Sequence, residues 1–449
     1  MIRFVILSFF TTILSSLSPA QTPSRFDYWK IGAHFRGFDI VADEYQKSLA
    51  NILTLQQSGA TILHIGTKGF QDVDAPYSPV DSNIGFLDHM ISLCHDAKLH
   101  YSLTVRQGPG RRDVYLESIG EPLSTIWIDT AQEQQYASML RKIVDRYKDD
   151  SLFIGIAPIT EPNPLSKNNF YVDTATLNKL LIANKIDLHH IMQLCVDSIR
   201  SVSKDIPILI QGPAFASPEF IPLAPKINDP FIVYEFHCYR PHEFVFAPDT
   251  STLTYPGYYI SYIEKKLGVL HNKEYLKDSV CKYIYDRQKE TGAPIFMGEF
   301  GVQWPHSDGE HLLEDLSSIA IENGWHFAYW AYDGVHHRWG WDYEVMPGIY
   351  WQTVQRSFEG NSSVRFSAVS NPKLTLSPNP STDYVTLKVE TSEDFRAISL
   401  YDVLGHFLRQ IPIRNIATEI IVEDLAPGEY QLILQGKKGI VQKRFIVAR

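Results

Sequence analysis

The chain has 449 residues, of which 44% are hydrophobic and 20% charged, and its formal net charge is −10. This composition is globular and excludes a disordered or fibrous protein, while the length allows one α/β barrel of roughly 250 to 400 residues plus a smaller domain. The acidic balance argues against nucleic acid as a partner, because nucleic-acid binding requires basic patches.

Residues 1–20 have the pattern of a secretory signal peptide. Arg3 gives a positive start, an apolar stretch follows, and Ser18 and Ala20 supply small residues for cleavage before Gln21. The apolar stretch is short and interrupted by Thr and Ser, and no other segment is apolar enough to predict a transmembrane span. The sequence therefore predicts an exported protein.

Short apolar runs alternate with helical patterns from about residue 28 to 358, which is typical of βα repetition. Eight strands are predicted, at 31–35, 61–66, 101–106, 153–160, 206–212, 231–239, 293–300 and 326–332. They predict a (β/α)8 TIM barrel over residues 21–358, with chemistry at the C-terminal strand ends. The alternative, an open doubly wound sheet, would require a glycine-rich phosphate turn after the first strand, and the sequence has none there. Loops at 162–184 and 240–272 are expected to shape a cleft, with surface decoration as the alternative.

The four cysteines, Cys94, Cys195, Cys238 and Cys281, are too few for a disulfide scaffold in a chain of this length. A Cys238–Cys281 disulfide and buried free thiols both remain open. The sequence has no CxxC, HExxH or acidic calcium-loop spacing, so it implies neither a metal nor another cofactor.

Two apolar runs each end at one glutamate beside turn residues, Glu161 in IAPITEPNP and Glu299 in PIFMGEFGV. Buried parallel strands deliver carboxylates to a barrel rim in this way. Two such carboxyls suit cleavage of a glycosidic bond, where one protonates the leaving oxygen and the other attacks the anomeric carbon. The alternative is that each glutamate only ends a strand beside a helix N-terminus.

Three further residues lie at predicted strand ends. His237 and Tyr239 share one face of the sixth strand, because side chains alternate along a strand. A Tyr hydroxyl can hold a nucleophilic carboxylate, and a His can orient an acid. Trp330 ends the eighth strand and offers a flat apolar face for a sugar ring. Core packing is the alternative for all three.

The motifs TEP (160–162), FHCY (236–239), MGEFG (297–301) and YWAYDG (329–334) resemble those of glycoside hydrolase family 5 and its clan of retaining (β/α)8 enzymes. The resemblance implies Glu161 as acid/base, Glu299 as nucleophile, His237 and Tyr239 as their partners, and Trp330 as a sugar platform.

The chain departs from that family at three positions. Thr160 stands where the family usually has an Asn that bonds the sugar 2-hydroxyl. The Arg usual near the second strand end is absent, with His64 and Lys68 as candidate substitutes, and Arg106 replaces the usual His on the third strand. A cation near Glu299 would favour its ionised form, and Arg106 and Arg36 are the candidates.

A small polar linker at 359–370 precedes an alternating-strand region at 371–449, which predicts a small all-β, immunoglobulin-like sandwich. The segments 376–389, 398–410 and 425–434 and the basic ending resemble the type A sorting domain of the type IX secretion system of Bacteroidetes. That resemblance implies the secretion machinery as a partner and a secreted or cell-surface location. A spacer or a carbohydrate-binding module is the alternative.

These observations predict a secreted retaining glycoside hydrolase, endo-acting in preference to exo-acting, whose partner is a β-linked poly- or oligosaccharide such as a β-glucan or mannan. The rival hypotheses are a catalytically inactive, glycan-binding barrel at the cell surface and a transglycosylase.

Overall fold

The computed structural model describes residues 24–32, 34–43, 49–113, 123–165, 172–247, 253–303, 308–332, 349–359, 374–389, 395–402, 407–412, 417–436 and 439–448. The predicted signal peptide and all but the first residue of the predicted linker lie outside these ranges. No helix in the described ranges is both long and apolar enough to cross a membrane.

Eight parallel strands form a closed barrel in the order β1-β10-β9-β6-β5-β4-β3-β2, and a two-stranded antiparallel hairpin, β7–β8, follows β6. The strands are β1 Arg36–Val41, β2 Ile62–Lys68, β3 His100–Gln107, β4 Phe153–Ala157, β5 Ile208–Gln211, β6 Ile232–Cys238, β7 Gly257–Ser261, β8 Lys266–His271, β9 Ile295–Phe300 and β10 His326–Tyr329. The predicted TIM barrel is confirmed.

Helices surround the barrel and bury their apolar stripes against it. They span Arg25–Lys30, Leu49–Gln57, Asp81–Ala97, Thr130–Tyr147, Thr174–Ala183, Leu188–Arg200, His242–Val245, Lys273–Tyr275, Lys282–Thr291, Gly309–Glu322 and Ile349–Phe358, with a 3-10 turn at Pro218–Leu223 and a π turn at Leu276–Val280. Asp129, Asp173 and Asp187 cap the N-termini of three of them by accepting backbone N–H bonds.

The N-terminal face of the barrel is closed by the helix Arg25–Lys30. Trp29 is buried there with Phe35 and Phe296, and its indole Nε1 donates to the Ile154 carbonyl at 2.7 Å. The seal leaves the C-terminal face as the open one.

The first strand lies five residues later than predicted, at Arg36–Val41 instead of 31–35. Phe35, just before the strand, packs under the barrel, and its backbone N–H donates to His326 Nδ1 at 3.0 Å. The two predicted loops also contain regular structure, because the first holds the helix Thr174–Ala183 and the second holds the β7–β8 hairpin.

The C-terminal region forms two antiparallel sheets, β11-β12-β15 and β14-β13-β16-β17. Their strands are β11 Leu374–Ser377, β12 Tyr384–Val389, β13 Phe395–Asp402, β14 Phe407–Pro412, β15 Ala417–Ile421, β16 Gly428–Gly436 and β17 Gly439–Val447. Val385 and Ile420 of one sheet share a buried core with Leu400 and Leu432 of the other, so the region is a β-sandwich.

Candidate active site

Glu161 and Glu299 meet at the C-terminal face of the barrel. Glu161 lies four residues beyond the end of β4, and Glu299 lies in β9. The side chains of Glu161, Glu299 and His237 each present a polar atom, and these atoms lie within 4.8 Å of one another. Both carboxyls are buried, with the residues 9% and 4% exposed. The fold therefore brings together two acids that are 138 positions apart in the chain.

The backbone at Glu161 is held in an unusual conformation. Its φ is +48°, in the left-handed region that costs a residue with a side chain about 1–3 kcal/mol. The Glu161 N–H donates to Gln211 Oε1 at 2.5 Å, and Arg111 Nη2 donates to the Thr160 carbonyl at 2.9 Å. These contacts from β5 and from the loop after β3 stabilise the turn that aims Glu161 at the barrel axis.

A β-bulge places Glu299. Met297 pairs with Phe236 and Glu299 with His237, so Gly298 is one extra residue on β9. The bulge shifts the alternation of β9 so that Glu299, like Phe296 further down the strand, belongs to the interior of the barrel.

His237 and Tyr239 both face this pair. His237 Nδ1 lies 2.8 Å from Glu161 Oε1 and 3.5 Å from Glu299 Oε2. The Tyr239 hydroxyl donates to Glu299 Oε2 at 2.8 Å. Both side chains thus contact the two acids, in agreement with the prediction that they share one face of the strand.

Arg106 approaches Glu299 from β3. Its Nη1 lies 3.8 Å from Glu299 Oε1, and its Nε donates to Asp113 Oδ2 at 2.6 Å. The guanidinium also lies over the Trp330 ring at 5.4 Å, which half-buries the indole at the rim. Gly66 on β2 leaves room for this path, since a Cβ there would lie 3.1 Å from Arg106 Cδ.

The surroundings shift the pKa values of the site. Burial raises the pKa of Glu299, and the nearby Glu161 carboxyl raises it further, while His237, Arg106 and the Tyr239 hydrogen bond oppose this rise. The pKa of His237 lies well above its ordinary value, because Glu299, Glu161 and a third carboxyl, Glu235, outweigh its burial.

Two predicted site residues do not contact the acid pair. Arg36 is the first residue of β1, at the opposite face of the barrel, where its Nη1 donates to the Ser357 and Phe358 carbonyls at 3.1 Å. The assignment of Arg36 to Glu299 is wrong because the first strand was placed too early. The buried Thr160 hydroxyl lies 2.5 Å from Thr104 Oγ1, so its hydrogen bond is with β3.

The candidate substitutes on β2 also lie elsewhere. His64 Nε2 is 3.0 Å from Glu235 Oε1, and Lys68 Nζ is 2.6 Å from Asp43 Oδ2. The cation nearest to Glu299 among the described arginines and lysines is therefore Arg106.

Sequence reasoning missed two buried acids, Asp39 and Glu235. Neither oxygen of Asp39 has a hydrogen-bond partner among the described residues, and burial together with Glu299 raises its pKa well above the ordinary value. Glu235 stands two residues before His237 on the same face of β6, a spacing that could have revealed it.

The described residues contain two groups close enough to share a metal ion. One is the Glu161, His237 and Glu299 cluster itself, and the other is Asp308, Glu310 and His311 at the start of a helix. All four cysteines are buried free thiols.

Two protein-family models match parts of the chain. The model described as cellulase (glycosyl hydrolase family 5) matches residues 120–335. This part of the barrel is therefore similar to family 5. The model of the secretion system C-terminal sorting domain matches residues 375–448, so the chain carries both matches, one in the barrel and one in the C-terminal sandwich.

Relatives are similar to the barrel in sequence, and solved structures are similar to it in fold. Endoglucanase C from Acetivibrio thermocellus is 24% identical over 297 residues, covering 56% of this chain and 78% of that protein. Cellodextrinase A from Ruminococcus flavefaciens is 21% identical over 252 residues, covering 54% of this chain and 67% of that protein. The structure of endoglucanase Cel5A from Thermotoga maritima superposes with a TM-score of 0.54 at 15% identity, covering 75% of this chain and all of that one. Together these comparisons support a glycoside hydrolase.

Proposed function

We propose that the protein is a retaining, endo-acting glycoside hydrolase that cleaves β-linked glucan or mannan. The observation that carries the proposal is the separation of the two acids, whose nearest side-chain oxygens lie within 4.8 Å. Retaining enzymes hold their two carboxyls about 5–5.5 Å apart, whereas inverting enzymes leave about 6.5–9.5 Å for a water molecule.

In this mechanism Glu161 is the acid/base and Glu299 is the nucleophile. Glu161 protonates the glycosidic oxygen while Glu299 attacks the anomeric carbon, so the bond to the leaving sugar breaks as a glycosyl ester forms. Glu161, now a carboxylate, removes a proton from water, which attacks the anomeric carbon and releases Glu299. Tyr239 and Arg106 stabilise the Glu299 carboxylate in the free enzyme, and Trp330 offers its ring face to the sugar.

The substrate class is proposed from the relatives. Endoglucanase C and Cellodextrinase A carry names for glucan-cleaving enzymes, and Thermotoga maritima Cel5A has been solved with cellobiose and with mannotriose. We further propose that residues 21–358 form the catalytic domain, that 359–370 link it to the sorting domain at 371–449, and that the signal peptide and the sorting domain direct export.

The test is product release from a panel of β-glucans, mannans and xylans by the wild type, Glu161→Gln and Glu299→Gln. The wild type should cleave a polymer with retention at the new reducing end, which NMR of the first products detects. Loss of the general acid should lower kcat by about 10²–10⁴-fold, and loss of the nucleophile should abolish turnover.

Glu419→Gln, an exposed change in the sandwich, is the control and should behave as the wild type. A 2-fluoro sugar inactivator should label Glu299, which mass spectrometry locates. Binding of a glycan with no product from the wild type would instead support the rival hypothesis of a glycan-binding barrel, and an inverted product would overturn the retaining mechanism.

A further inference from the structure

A chain of buried polar side chains lies below the two catalytic acids. It runs from Ser102 on β3 through His64 on β2 to Glu235 and His237 on β6, and all four residues are at most 1% exposed. His64 Nδ1 lies 2.7 Å from Ser102 Oγ, and His64 Nε2 lies 3.0 Å from Glu235 Oε1. Glu235 Oε1 is in turn 3.4 Å from His237 Nε2. The chain ends at the acid/base, because His237 Nδ1 contacts Glu161.

The β9 bulge makes space for Glu235. A Cβ on Gly298 would lie 2.1 Å from Glu235 Oε1, so any other residue there would displace the carboxyl. The bulge that turns Glu299 inward is thus also the feature that admits a third carboxyl beneath it.

The buried Glu235 carboxylate requires a positively charged group or strong hydrogen-bond donors beside it. The His64 and His237 imidazoles lower the pKa of Glu235 to about 2 in spite of its burial, so it is a carboxylate. An isolated buried carboxylate is expensive, and it persists only beside a positive group or strong donors. The two imidazoles are the groups within ion-pair distance of it that can carry a positive charge among the described residues, while the Asp39 carboxyl also interacts with it.

His237 has the surroundings of an imidazolium. Glu161 at the end of β4, Glu299 on β9 and Glu235 on its own strand face it within 3.5 Å, and Asp39 on β1 also interacts with it. The opposing groups are Arg106, which reaches Glu299 from β3, and the amide Nε2 of Gln211 on β5, 3.5 Å from His237 Nε2. If His237 were neutral at Nε2, Gln211 would donate there instead, so the protonation of this nitrogen distinguishes two arrangements.

We propose that Glu235 is a positioning residue that keeps His237 doubly protonated, with Nε2–H directed to Glu235 and Nδ1–H directed to Glu161 Oε1. Glu161 Oε1 is then occupied as an acceptor, and the proton that Glu161 gives and takes travels through its other oxygen, which is left for the substrate. This inference deepens the proposed function, since it rests on Glu161 as the acid/base.

The first experiment measures His237 directly and does not depend on activity. Nitrogen NMR of isotope-labelled histidine is recorded from about pH 4 to about pH 9 for the wild type, Glu235→Gln and, for assignment, His237→Asn. The wild type should show an imidazolium at neutral pH, and Glu235→Gln should lower the His237 pKa by at least about one unit, a tenfold change in proton affinity. Glu219→Gln is the matched control, because it removes another buried glutamate, one paired with Arg240, and should leave His237 unchanged.

The second experiment is the pH dependence of kcat/KM. In Glu235→Gln the alkaline limb should move to higher pH while KM changes little, because an earlier loss of the His237 proton removes the positive charge that favours the ionised form of Glu161; a merely destabilised barrel does not produce this result. A neutral His237 in the wild type, or the same titration in Glu235→Gln, would overturn the proposal, and the wild-type spectrum decides even where the variant fails to fold. If the spectra follow the expectation and no glycan is cleaved, the hydrolase proposal fails while the arrangement of His237 stands.

Discussion

The substitution Gly298→Ala tests the packing of the barrel interior. The added methyl would lie 2.1 Å from Glu235 Oε1, whereas ordinary contact begins at 3.4 Å, so the carboxylate or β9 must move by roughly 1.3 Å. Such a shift carries Glu235 out of its contacts with His64 and His237. Overpacking costs about 1–3 kcal/mol and breaking a buried ion pair about 3–5 kcal/mol, so we expect the free energy of unfolding to fall by about 3–5 kcal/mol.

Urea unfolding followed by tryptophan fluorescence measures this loss. All eight tryptophans precede residue 352, so the signal reports on the barrel and not on the sandwich. The control is Gly85→Ala in the helix Asp81–Ala97, where a Cβ meets nothing within 4 Å and should stabilise the barrel by up to about 1 kcal/mol. In a Glu235→Ala background, Gly298→Ala should cost much less. A loss below about 1 kcal/mol in the wild-type background would refute the close packing of Gly298 on Glu235.

Three further predictions concern the site. Asp39→Asn should stabilise the barrel increasingly as pH rises from about 4 to about 8. The pKa of Asp39 is raised in the folded protein, so above its unfolded pKa near 3.9 this carboxyl destabilises the fold, and the amide removes that penalty. A melting-temperature difference between variant and wild type that does not depend on pH would contradict this. Tyr239→Phe should lower kcat by about 10- to 100-fold and move the acid limb of kcat/KM to higher pH. In the wild type the Tyr239 hydrogen bond lowers the pKa of Glu299, so its removal raises that pKa. Kinetics across pH would measure the shift, and an unchanged profile would contradict this role. Trp330→Ala should raise KM for the polymer about tenfold while kcat changes less. A tenfold fall in kcat with an unchanged KM would argue against a sugar platform.

The sequence was most informative where a strand is apolar and ends abruptly. The runs before Glu161 and Glu299 are buried along their whole length, so hydrophobicity alone located β4 and β9 and their acids. The period of two then placed His237 and Tyr239 on one face, and the structure shows both on the acid pair.

The first strand was misplaced for a physical reason. β1 contains Gly37 and Asp39, which strand propensity disfavours, whereas the apolar Phe35 just before it packs under the barrel. In the tail, β11 has only four residues and β14 is partly polar, so hydrophobic alternation gives a weak signal for both strands. The bulge at Gly298 could not be predicted either, since it is a feature of how β9 pairs with β6, two strands far apart in the sequence.

The path of Arg106 over Gly66 has a consequence for how this site can vary. A side chain at position 66 would place its Cβ 3.1 Å from Arg106 Cδ and push the arginine aside, and a shorter residue at position 106 would leave Glu299 without its nearest arginine or lysine. Neither position can therefore change alone without a loss of packing or of charge. We expect a side chain at position 66 to cost less when position 106 carries a shorter residue, so that the two positions are coupled in any change that moves the cation from β3 to β2.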